Sequence, residues 1–472
     1  MKKTKIVATI GPASKSPDIL REMIQAGMNV ARINFSHGDY NTNGELIHNL
    51  KKLREELKIN LGIMVDLQGP RIRVGNEKEF LIEKGEIIFV SDKKTDRDEK
   101  ELVIDSNGVV DALAVGERIL VEDGLMEIKV VEKDENGIKA EVINEGMIKP
   151  RKGINVPDTT LSFGAVTEKD EADLKYALSQ DVDFIALSFV SNGKEIEETR
   201  EKIRKILSRE NDLPQIVAKI ERKEAIKNID EIILSADVIM VARGDLGIEL
   251  DETKVVLYQK RIIAKCLHAN CPVIVATQML DSMIKNPIPT RAEVSDVSNA
   301  VIDHTDAVML SGESANGEYP IASVKTMAKI IHDTEESPYD DYCAECHQLD
   351  FVADEYGAII HSAQELAKNS DAKAISAISQ SGFTAKQLAH SRSEKPIFVV
   401  TNNKKTYNQL AIVWGVNVFL FSDETNLEKL IDLLFAELKK NNKVKIGDSV
   451  VVILGRIPGG EKMRLVGIRN VI

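Results

Sequence analysis

The chain has little of what marks several protein classes. Its 472 residues include four cysteines and one tryptophan, and only 4% are aromatic. Four cysteines in a chain of this length do not form a disulfide scaffold. No apolar run approaches the roughly 18 residues of a membrane span, and no signal-peptide core follows the N-terminal lysines. We therefore predict a cytoplasmic protein with no membrane contact.

Positive charge is also in deficit. The 62 Lys and Arg residues face 75 Asp and Glu residues, which gives a net charge of −13. This balance argues against nucleic acid as a partner, because binding a phosphate backbone needs a basic surface. Small anionic substrates stay compatible with it, since a local cluster of Arg and Lys can dominate one cleft.

One cysteine pattern matches a known motif. Cys343-Ala-Glu-Cys346-His347 has the C-x-x-C-H form of haem attachment. Attachment of that kind goes with export, and a zinc site would need a second Cys or His pair nearby. We interpret Cys343 and Cys346 as a chance match in a loop between domains, with no assigned role.

Short apolar strands alternate with helical segments through most of the chain. Helix starts are predicted at Ser16-Pro17-Asp18, near Thr42, at Thr167, at the capping box Thr290-Arg-Ala-Glu293, and at Ile321. Eight strand–helix units predict a (β/α)8 TIM barrel, whose functional residues lie at the C-terminal ends of the strands. The predicted strands are Lys5–Ile10, Asn29–Asn34, Leu61–Asp66, Phe184–Phe189, Gln215–Ile220, Val238–Ala242, Pro272–Ala276 and Ala307–Leu310.

One connection in the predicted barrel is far too long. About one hundred residues separate Asp66, the end of the third strand, from the helix at Thr167, whereas a βα loop usually takes about 2–6. Within them, Asn136-Gly137 lies between alternating residues and is a strong hairpin signal. We predict a small inserted β-barrel domain that covers the barrel mouth as a lid.

After about Asp340 the alternation resumes in an open α/β domain. Its predicted strands are Ala374–Ile378, Ile397–Thr401 and Ser449–Leu454, with a helix near Asn426–Lys440. The predicted domains are therefore the barrel at 1–69 and 154–338, the inserted lid at 70–153, and a C-terminal regulatory domain at 339–472.

Polar and charged residues follow nearly every barrel strand. On a strand, side chains two apart share a face, so Lys219 and Glu221 point the same way, with Asp245 after the next strand. A lysine and two carboxylates there are the ingredients of a site for a hard divalent metal, and an ion pair at a sheet end is the alternative. The layout over all strands favours a phosphate-handling metal enzyme; its other members include Arg32, Asn34, Ser36, His37, Asp66, Arg73, Ser188, Gly244, Thr277, Ser311 and Glu313.

Five stretches resemble the motifs of pyruvate kinases: Thr9–Ser14, Ala31–Gly38, Val241–Glu249, Ala276–Leu280 and Met309–Glu313. The resemblance runs in order through all three predicted domains. It implies the glycolytic transfer of a phosphoryl group from phosphoenolpyruvate to ADP, which gives pyruvate and ATP.

The resemblance also implies roles for single residues. Lys219 would stabilise the transition state, and Arg32 would grip the phosphoryl group. Glu221 and Asp245 would bind Mg²⁺ or Mn²⁺. Gly244 and Thr277 would contact the substrate, with a water or a relay near Thr277 completing the protonation of pyruvate. The implied nucleotide side consists of Asn34, Phe35, Ser36, His37, Arg73 and Lys152.

One segment departs from the usual pattern. Many members of the family need K⁺, bound at positions that match Asn34, Ser36, Asp66 and Leu67. In those members the five residues after the position of Asp66 tend to read Thr-Lys-Gly-Pro-Glu. Here they read Leu67-Gln-Gly-Pro-Arg71, so a guanidinium replaces a carboxylate. This resembles variants that work without K⁺, and we predict that K⁺ is not required. The alternative is a surface arginine with no such role.

The segment Ser379–Thr384 follows a predicted strand and opens a helix, so its N–H groups and hydroxyls can face an anion. An ordinary helix N-cap is the alternative. The resemblance implies a phosphorylated allosteric effector at Ser379, Ser381, Gly382 and Thr384, with Gly455–Gly460 as a second loop. It also implies a homotetramer.

Two other functions are alternatives to the pyruvate kinase reaction. The first is a phosphoenolpyruvate or 2-keto acid lyase or mutase on a similar barrel, against which the large insert, Arg73 and Lys152 argue. The second is a catalytically silent, phosphometabolite-binding regulator. The presence of Lys219, Glu221 and Asp245 argues against the second.

Overall fold

The computed structural model describes residues 2–95, 100–134, 137–159, 161, 164, 166–340, 355–454 and 465–472. Three sequence features lie outside these residues: Asn136 of the predicted hairpin turn, the motif at Cys343–His347, and the loop at Gly455–Gly460. None of the helices in the described residues combines the length and the apolar character that crossing a bilayer requires.

Eight of the described strands close a parallel barrel in the order of the chain, which confirms the predicted architecture. Labels follow chain order. The strands are β1 Lys5–Ile10, β2 Val30–Asn34, β3 Gly62–Asp66, β12 Phe184–Leu187, β13 Gln215–Ile220, β14 Val238–Ala242, β15 Val273–Ala276 and β16 Ala307–Leu310. Strand β12 ends two residues earlier than predicted, because Phe189 takes a left-handed backbone with φ 57°.

Both faces of the barrel strands are buried, which explains their unbroken apolar runs. Along β1, Ile6 and Ala8 pack in the cluster between strands and helices, whereas Val7 belongs to the cluster inside the barrel. The interior cluster also contains Met64 and Phe184, and it continues into the C-terminal domain. The strand ends are therefore carried on a rigid core.

Helices surround the barrel, and the longer ones other than α12 begin at side-chain caps. The predicted capping box at Thr290 and Glu293 is present, with both of its hydrogen bonds. The second helix begins at Tyr40 rather than near Thr42, because Asp39 accepts a hydrogen bond from the Thr42 backbone N–H at 2.8 Å. The helices are α1 Pro17–Ala26, α2 Tyr40–Leu57, α4 Glu168–Ser179, α5 Gly193–Leu207, α6 Lys223–Lys227, α7 Ile229–Ser235, α8 Arg243–Glu249, α9 Glu252–His268, α10 Arg291–Ile302, α11 Gly312–Ala315 and α12 Pro320–Glu335, with a 3-10 turn at Asp281–Ile284.

The inserted residues form a β structure with its own apolar core. Its elements are β4 Phe80–Ile82, β5 Ile87–Ser91, β6 Glu101–Val103, α3 Val109–Ala112, β7 Arg118–Val121, β8 Met126–Asp134, β9 Gly137–Val142, β10 Gly146–Ile148 and β11 Ile154–Asn155. One described sheet has the order β11-β7-β8-β9-β5-β6, and β10 pairs with β4. Strands β8 and β9 pair antiparallel on either side of the predicted hairpin turn.

A short segment joins the two edges of the six-stranded sheet. The Val74 N–H donates to the Lys152 carbonyl at 2.8 Å, next to β11, and the Gly75 N–H donates to the Val103 carbonyl at 2.8 Å, in β6. The chain that leaves the barrel after β3 therefore closes the inserted sheet on itself. The same segment carries Arg71 and Arg73.

The C-terminal domain is an open sheet with helices. Its elements are α13 Glu355–Asn369, β17 Ala374–Ile378, α14 Phe383–His390, β18 Ile397–Thr401, α15 Lys404–Gln409, β19 Val416–Leu420, α16 Leu427–Lys440, β20 Ser449–Leu454 and β21 Leu465–Asn470. The described strand order is β19-β18-β17-β20-β21, with β21 antiparallel. Strands β19 and β21 were not predicted, because they lie at the sheet edges and are partly exposed, so neither has a long apolar run.

Arg392 joins this domain to the N-terminal end of the barrel. Its guanidinium lies 3.1 Å from Asp306 and donates to the His304 carbonyl at 2.6 Å. It also stacks 4.8 Å from the ring centre of Trp414. These contacts therefore lie at the end of the barrel opposite to Lys219 and Glu221.

Candidate active site

A cleft of about 370 Å³ lies at the C-terminal ends of the barrel strands. It brings together most of the residues that the sequence predicted for the substrate and the metal. Ser188, which was predicted among the polar residues at the strand ends, joins them, as do Gln68 and Phe189, which were not predicted. The lining consists of Arg32, Asn34, Ser36, Asp66, Gln68, Arg71, Ser188, Phe189, Lys219, Glu221 and Asp245.

Lys219 is a buried cation at the end of β13, with 8% of its surface exposed. Its Nζ lies 2.8 Å from Glu221 Oε1 and 3.5 Å from Asp66 Oδ1, and it donates to Ser188 Oγ at 2.7 Å. Burial opposes its charge, but the carboxylates of Asp66 and Glu221 outweigh burial and raise the pKa of Lys219 above its ordinary value. The cleft therefore holds a fixed positive charge.

Arg32 supplies a second cation from the end of β2. Its Nε donates to Asp66 Oδ2 at 2.7 Å, and its Nη1 donates to Thr9 Oγ1 at 2.8 Å. Burial alone would raise the pKa of Asp66, but Lys219 and Arg32 lower it below its usual range. Asp66 thus stays ionised between the two cations and orients both.

Glu221 and Asp245 bring two carboxylates to the cleft. Glu221 Oε2 accepts a hydrogen bond from the Phe189 N–H at 2.7 Å, while Oε1 pairs with Lys219. Burial raises the pKa of Glu221; Lys219 opposes the rise and the charge of Asp245 adds to it. This repulsion between neighbouring carboxylates would be relieved by a cation between them.

The donor set fits a magnesium-type ion. Within the part of the chain that the structure describes, no group of three or more His, Cys, Asp or Glu residues is placed to hold a metal. Mg²⁺ does not need such a group, because it usually takes one or two protein carboxylates and completes its octahedron with substrate oxygens and water. Glu221 and Asp245 meet that description.

Two backbone conformations shape the cleft wall. The left-handed backbone of Phe189 turns its N–H toward Glu221. Gly69 has φ 69°, and a Cβ there would lie 3.0 Å from Ser188 and Phe189. The glycine therefore lets the chain after β3 pass close to the end of β12 and carry Arg71 to the cleft.

Arg71 lies in the cleft rather than on a remote surface. Its Nη2 lies 3.8 Å from Asp245 Oδ1, and its side chain is 40% exposed. The neighbouring Leu67 is buried, and its carbonyl accepts a hydrogen bond from Ser188 Oγ at 2.8 Å. Arg71 therefore lines the same cleft as Asn34, Ser36 and Asp66, three of the four positions that the resemblance implies for a monovalent cation.

Thr277 and Gly244 meet beside the cleft. The Gly244 N–H donates to Thr277 Oγ1 at 2.8 Å, and Gly244 precedes Asp245 at the start of α8. Thr277 follows β15 with φ 67°. The predicted substrate contacts Gly244 and Thr277 therefore lie together, one residue from a predicted metal ligand.

The predicted nucleotide residues are divided between two places. Asn34 and His37 line a larger cavity of about 1780 Å³, which shares Arg32 and Asn34 with the cleft and also borders Gly11-Pro12. Ser36 lines the cleft itself. The Phe35 side chain is 4% exposed and packs in the core, 6.3 Å from the Tyr176 ring centre.

Arg73 and Lys152 line neither of these two cavities. Arg73 donates to the Arg151 carbonyl at 2.9 Å, and Lys152 pairs with Glu122 at 2.6 Å. Both lie on the inserted domain. In the present arrangement the structure does not bring them to the other predicted residues.

The segment Ser379–Thr384 has the predicted strand-to-helix form. Ser379 is buried, and its Oγ has no hydrogen-bond partner within the described residues. Ser381 is exposed, Gly382 has φ 82°, and Thr384 shares a hydrogen bond with the Tyr356 hydroxyl at 2.9 Å. The segment therefore presents an open helix start with an unused buried hydroxyl.

Arg243 is a polar residue of this region that the sequence analysis passed over. It is buried at the start of α8 and contacts Thr277 and Asp296. The letters of the motif around it contain the arginine but do not show its partners, which follow 34 and 53 residues later.

Comparisons with known proteins agree with this geometry. The family described as pyruvate kinase, barrel domain, matches residues 1–324, and pyruvate kinase, alpha/beta domain, matches residues 357–464. A pyruvate kinase of Staphylococcus epidermidis is 40% identical over 467 residues, which cover 98% of this chain and 79% of that protein. One from Geobacillus stearothermophilus is 41% identical over 465 residues, 98% of this chain and 78% of that protein.

A solved structure supports the same assignment. The crystal structure of a pyruvate kinase from Cryptosporidium parvum matches with a TM-score of 0.93 and 33% identity, and covers 100% of this chain and 96% of that chain. The barrel, the inserted and C-terminal sheets and both family matches agree along the chain. The chain belongs to the pyruvate kinase family, whose reaction moves the phosphoryl group of phosphoenolpyruvate to ADP and gives pyruvate and ATP.

Proposed function

We propose that the cleft at the C-terminal ends of the barrel strands carries this reaction, with Lys219 as its central residue. The observation that carries the proposal is the placement of Lys219 Nζ, 2.8 Å from Glu221 and 3.5 Å from Asp66. The amine is held charged, and Arg32 stands on the other side of Asp66. Pyruvate formation that needs ADP and a divalent ion together tests the proposal and separates it from a lyase or a mutase.

The proposed roles follow from what phosphoryl transfer requires. Charge spreads over the equatorial oxygens of the phosphoryl group, so catalysis needs positioned positive charge more than covalent chemistry. Lys219 stabilises that charge and the enolate oxygen that forms, and Arg32 grips the phosphoryl group. Asp66 keeps both cations oriented while it stays ionised.

Glu221 and Asp245 hold the divalent ion, Mg²⁺ or Mn²⁺, in this proposal. When bound, the ion supplies further positive charge beside the substrate carboxylate and phosphate. The protein residues do the rest: Phe189 fixes Glu221 through its N–H, and the first turn of α8 fixes Asp245 next to Gly244.

ADP binds in the larger cavity in this proposal. Asn34 and His37 line that cavity, and Arg32 lies at its junction with the cleft, so a diphosphate there points toward the substrate phosphoryl group. Arg73 and Lys152 reach the nucleotide when the inserted domain, residues 70–153, closes over the barrel. A closed lid would also exclude the water that competes with ADP.

Activity of this chain does not require K⁺, because Arg71 brings a fixed positive charge to the place where K⁺ would act. We expect the wild-type rate in tetramethylammonium salts to equal the rate in K⁺ salts within about 2-fold. Arg71→Glu should lose at least about 10-fold of its rate in tetramethylammonium, and K⁺ should restore it. Steady-state rates in the two salts measure both effects.

Arg118→Glu is the matched control for this prediction. Arg118 lies on the inserted domain and pairs with Asp158 at 2.8 Å, so the same charge change there should not create a K⁺ requirement. A wild-type enzyme that stops in tetramethylammonium and recovers in K⁺ would show the proposal for Arg71 to be wrong.

The segment Ser379–Thr384 binds the phosphate of an allosteric effector in this proposal, supported by the start of α14, which has no side-chain cap, and by the exposed Ser381 beside it. Fructose 1,6-bisphosphate and AMP are the probes. One of them should lower the phosphoenolpyruvate concentration at half-maximal rate by about 5-fold or more. Ser381→Asp should remove the effect by repulsion, whereas Ser208→Asp, on an exposed barrel site, should keep it. No response to either probe would contradict the proposal.

A homotetramer is the proposed assembly. Two adjacent apolar side chains stand exposed on α9, namely Val256 and Leu257, and exposed apolar surface commonly marks subunit contacts. Light scattering on the purified chain measures the mass directly.

A further inference from the structure

Arg243 is a buried charge that the proposed reaction leaves without a role. Its side chain is 8% exposed and does not line the cleft. Its Nη2 donates to the Thr277 carbonyl at 2.7 Å, and its Nε lies 3.3 Å from the Ala276 carbonyl. Its Nη1 pairs with Asp296 at 2.6 Å. A guanidinium that is buried with carbonyl and carboxylate partners fixes the backbone that it contacts.

The backbone that it contacts is unusual. Thr277 and Gln278 both have positive φ, 67° and 54°, which β-branched and other non-glycine residues rarely adopt. Such a conformation persists only where the surroundings hold it. Arg243 holds the Thr277 carbonyl, and the next residue, Gly244, holds the Thr277 hydroxyl through its N–H at 2.8 Å.

We propose that Arg243 is a positioning residue, which acts on the reaction through Thr277 and is itself oriented by Asp296. The inference rests on the proposed function and on the predicted role of Thr277, near which a water or a relay completes the protonation of pyruvate. After the phosphoryl group has left, the enolate carbon forms a C–H bond with a proton from water or a relay, and the enolate oxygen becomes the ketone carbonyl. Arg243 thus serves the protonation step, whereas Lys219 and Arg32 serve phosphoryl transfer.

The first test separates these two steps. In D₂O with Mg²⁺ and ATP, the methyl hydrogens of pyruvate exchange by the reverse of protonation, and proton NMR follows the exchange. Arg243→Lys keeps the charge but loses the planar guanidinium, whose N–H groups contact the carbonyls of Thr277 and Ala276 and the carboxylate of Asp296. We expect exchange and kcat to fall about 100-fold, with KM for phosphoenolpyruvate changed less than about 3-fold. An unchanged exchange rate would overturn the inference.

Arg54→Lys is the matched control. Arg54 is equally buried, and its Nη1 contacts Asp183 at 2.8 Å and the Leu61 carbonyl at 3.2 Å, at the opposite end of the barrel. We expect its exchange rate to match the wild type. An equal loss of exchange in Arg54→Lys would assign the effect of Arg243→Lys to general destabilisation and overturn the inference.

A double-mutant cycle tests whether Arg243 acts through Thr277. Adding Arg243→Lys to Thr277→Ala should change the exchange rate by less than about 3-fold, because the positioned group is already gone. Independent, multiplicative losses would overturn the inference. Unchanged exchange in Thr277→Ala alone would instead refute the proposed role of Thr277.

Asp296→Asn covers the case in which Arg243→Lys does not fold. Asp296 lies on α10 and pairs with the far side of the guanidinium. Losing its charge should slow exchange about 10-fold without a comparable change in KM. A wild-type exchange rate in folded Asp296→Asn would contradict the orienting role of Asp296 and overturn the inference.

Discussion

Lys219→Met should lower kcat by about 10³-fold or more and leave the binding of phosphoenolpyruvate and the metal nearly intact. The substituted side chain keeps the unbranched apolar stem of lysine but removes the ammonium group that faces the transferring group. Losses of this size are typical when one preorganised charge or donor is removed from a transition state in a water-poor site. Steady-state kinetics together with Mn²⁺ binding by electron paramagnetic resonance measure both parts.

The main alternative explanation for such a loss is destabilisation, since the change leaves Glu221 without its buried cation and Asp66 with Arg32 alone. Lys405→Met is the matched control. Lys405 is equally buried, pairs with Asp181 at 2.9 Å and donates to the Val182 carbonyl at 2.6 Å, at the other end of the barrel. We expect Lys405→Met to keep most of its activity. A near-normal rate in Lys219→Met would refute the central role of this residue.

Glu221→Gln should weaken Mn²⁺ or Mg²⁺ binding by at least about 100-fold. The amide keeps the shape of the side chain but removes one of the two negative charges offered to the ion. Even the substitution of a residue that only contacts a metal ligand commonly lowers metal affinity by about 10–100-fold. The rate should recover partly at high metal concentration, because the loss is one of binding. Mn²⁺ titration by electron paramagnetic resonance gives the affinity.

Glu313→Gln is the control for the metal prediction. Glu313 is also a buried carboxylate near a strand end, and it accepts N–H hydrogen bonds from Leu280 at 3.0 Å and Ser311 at 2.7 Å. It does not line the cleft, so its metal affinity should stay within about 3-fold of the wild type. Wild-type metal affinity in Glu221→Gln would show that Glu221 does not bind the ion.

Much of the barrel could be predicted because its strands are buried on both faces. Such strands appear in the sequence as short apolar runs with polar residues at one end, and helix-start signals stand between them. The strands β19 and β21 escaped prediction for the opposite reason. They lie at sheet edges with partly exposed side chains, so Asn417 and Arg469 interrupt their apolar pattern.

The residues of the cleft could be predicted where one strand carries two of them, as with Lys219 and Glu221, or where a motif ends a strand. Contacts between distant segments could not. The partner of Arg71 is Asp245, and the partners of Arg243 are Thr277 and Asp296, none of which periodicity can pair. The nucleotide roles of Arg73 and Lys152 stay predictions, because they depend on the position of the inserted domain.

A single-turnover experiment tests the central claim most directly. The chain is mixed in excess over phosphoenolpyruvate with Mg²⁺ and ADP, quenched at intervals, and ATP and pyruvate are quantified in the same samples. We expect equal amounts of ATP and pyruvate from the wild type, and neither product on that timescale from Lys219→Met with bound phosphoenolpyruvate. Pyruvate formed without ATP, or wild-type ATP formation in Lys219→Met, would contradict the central claim.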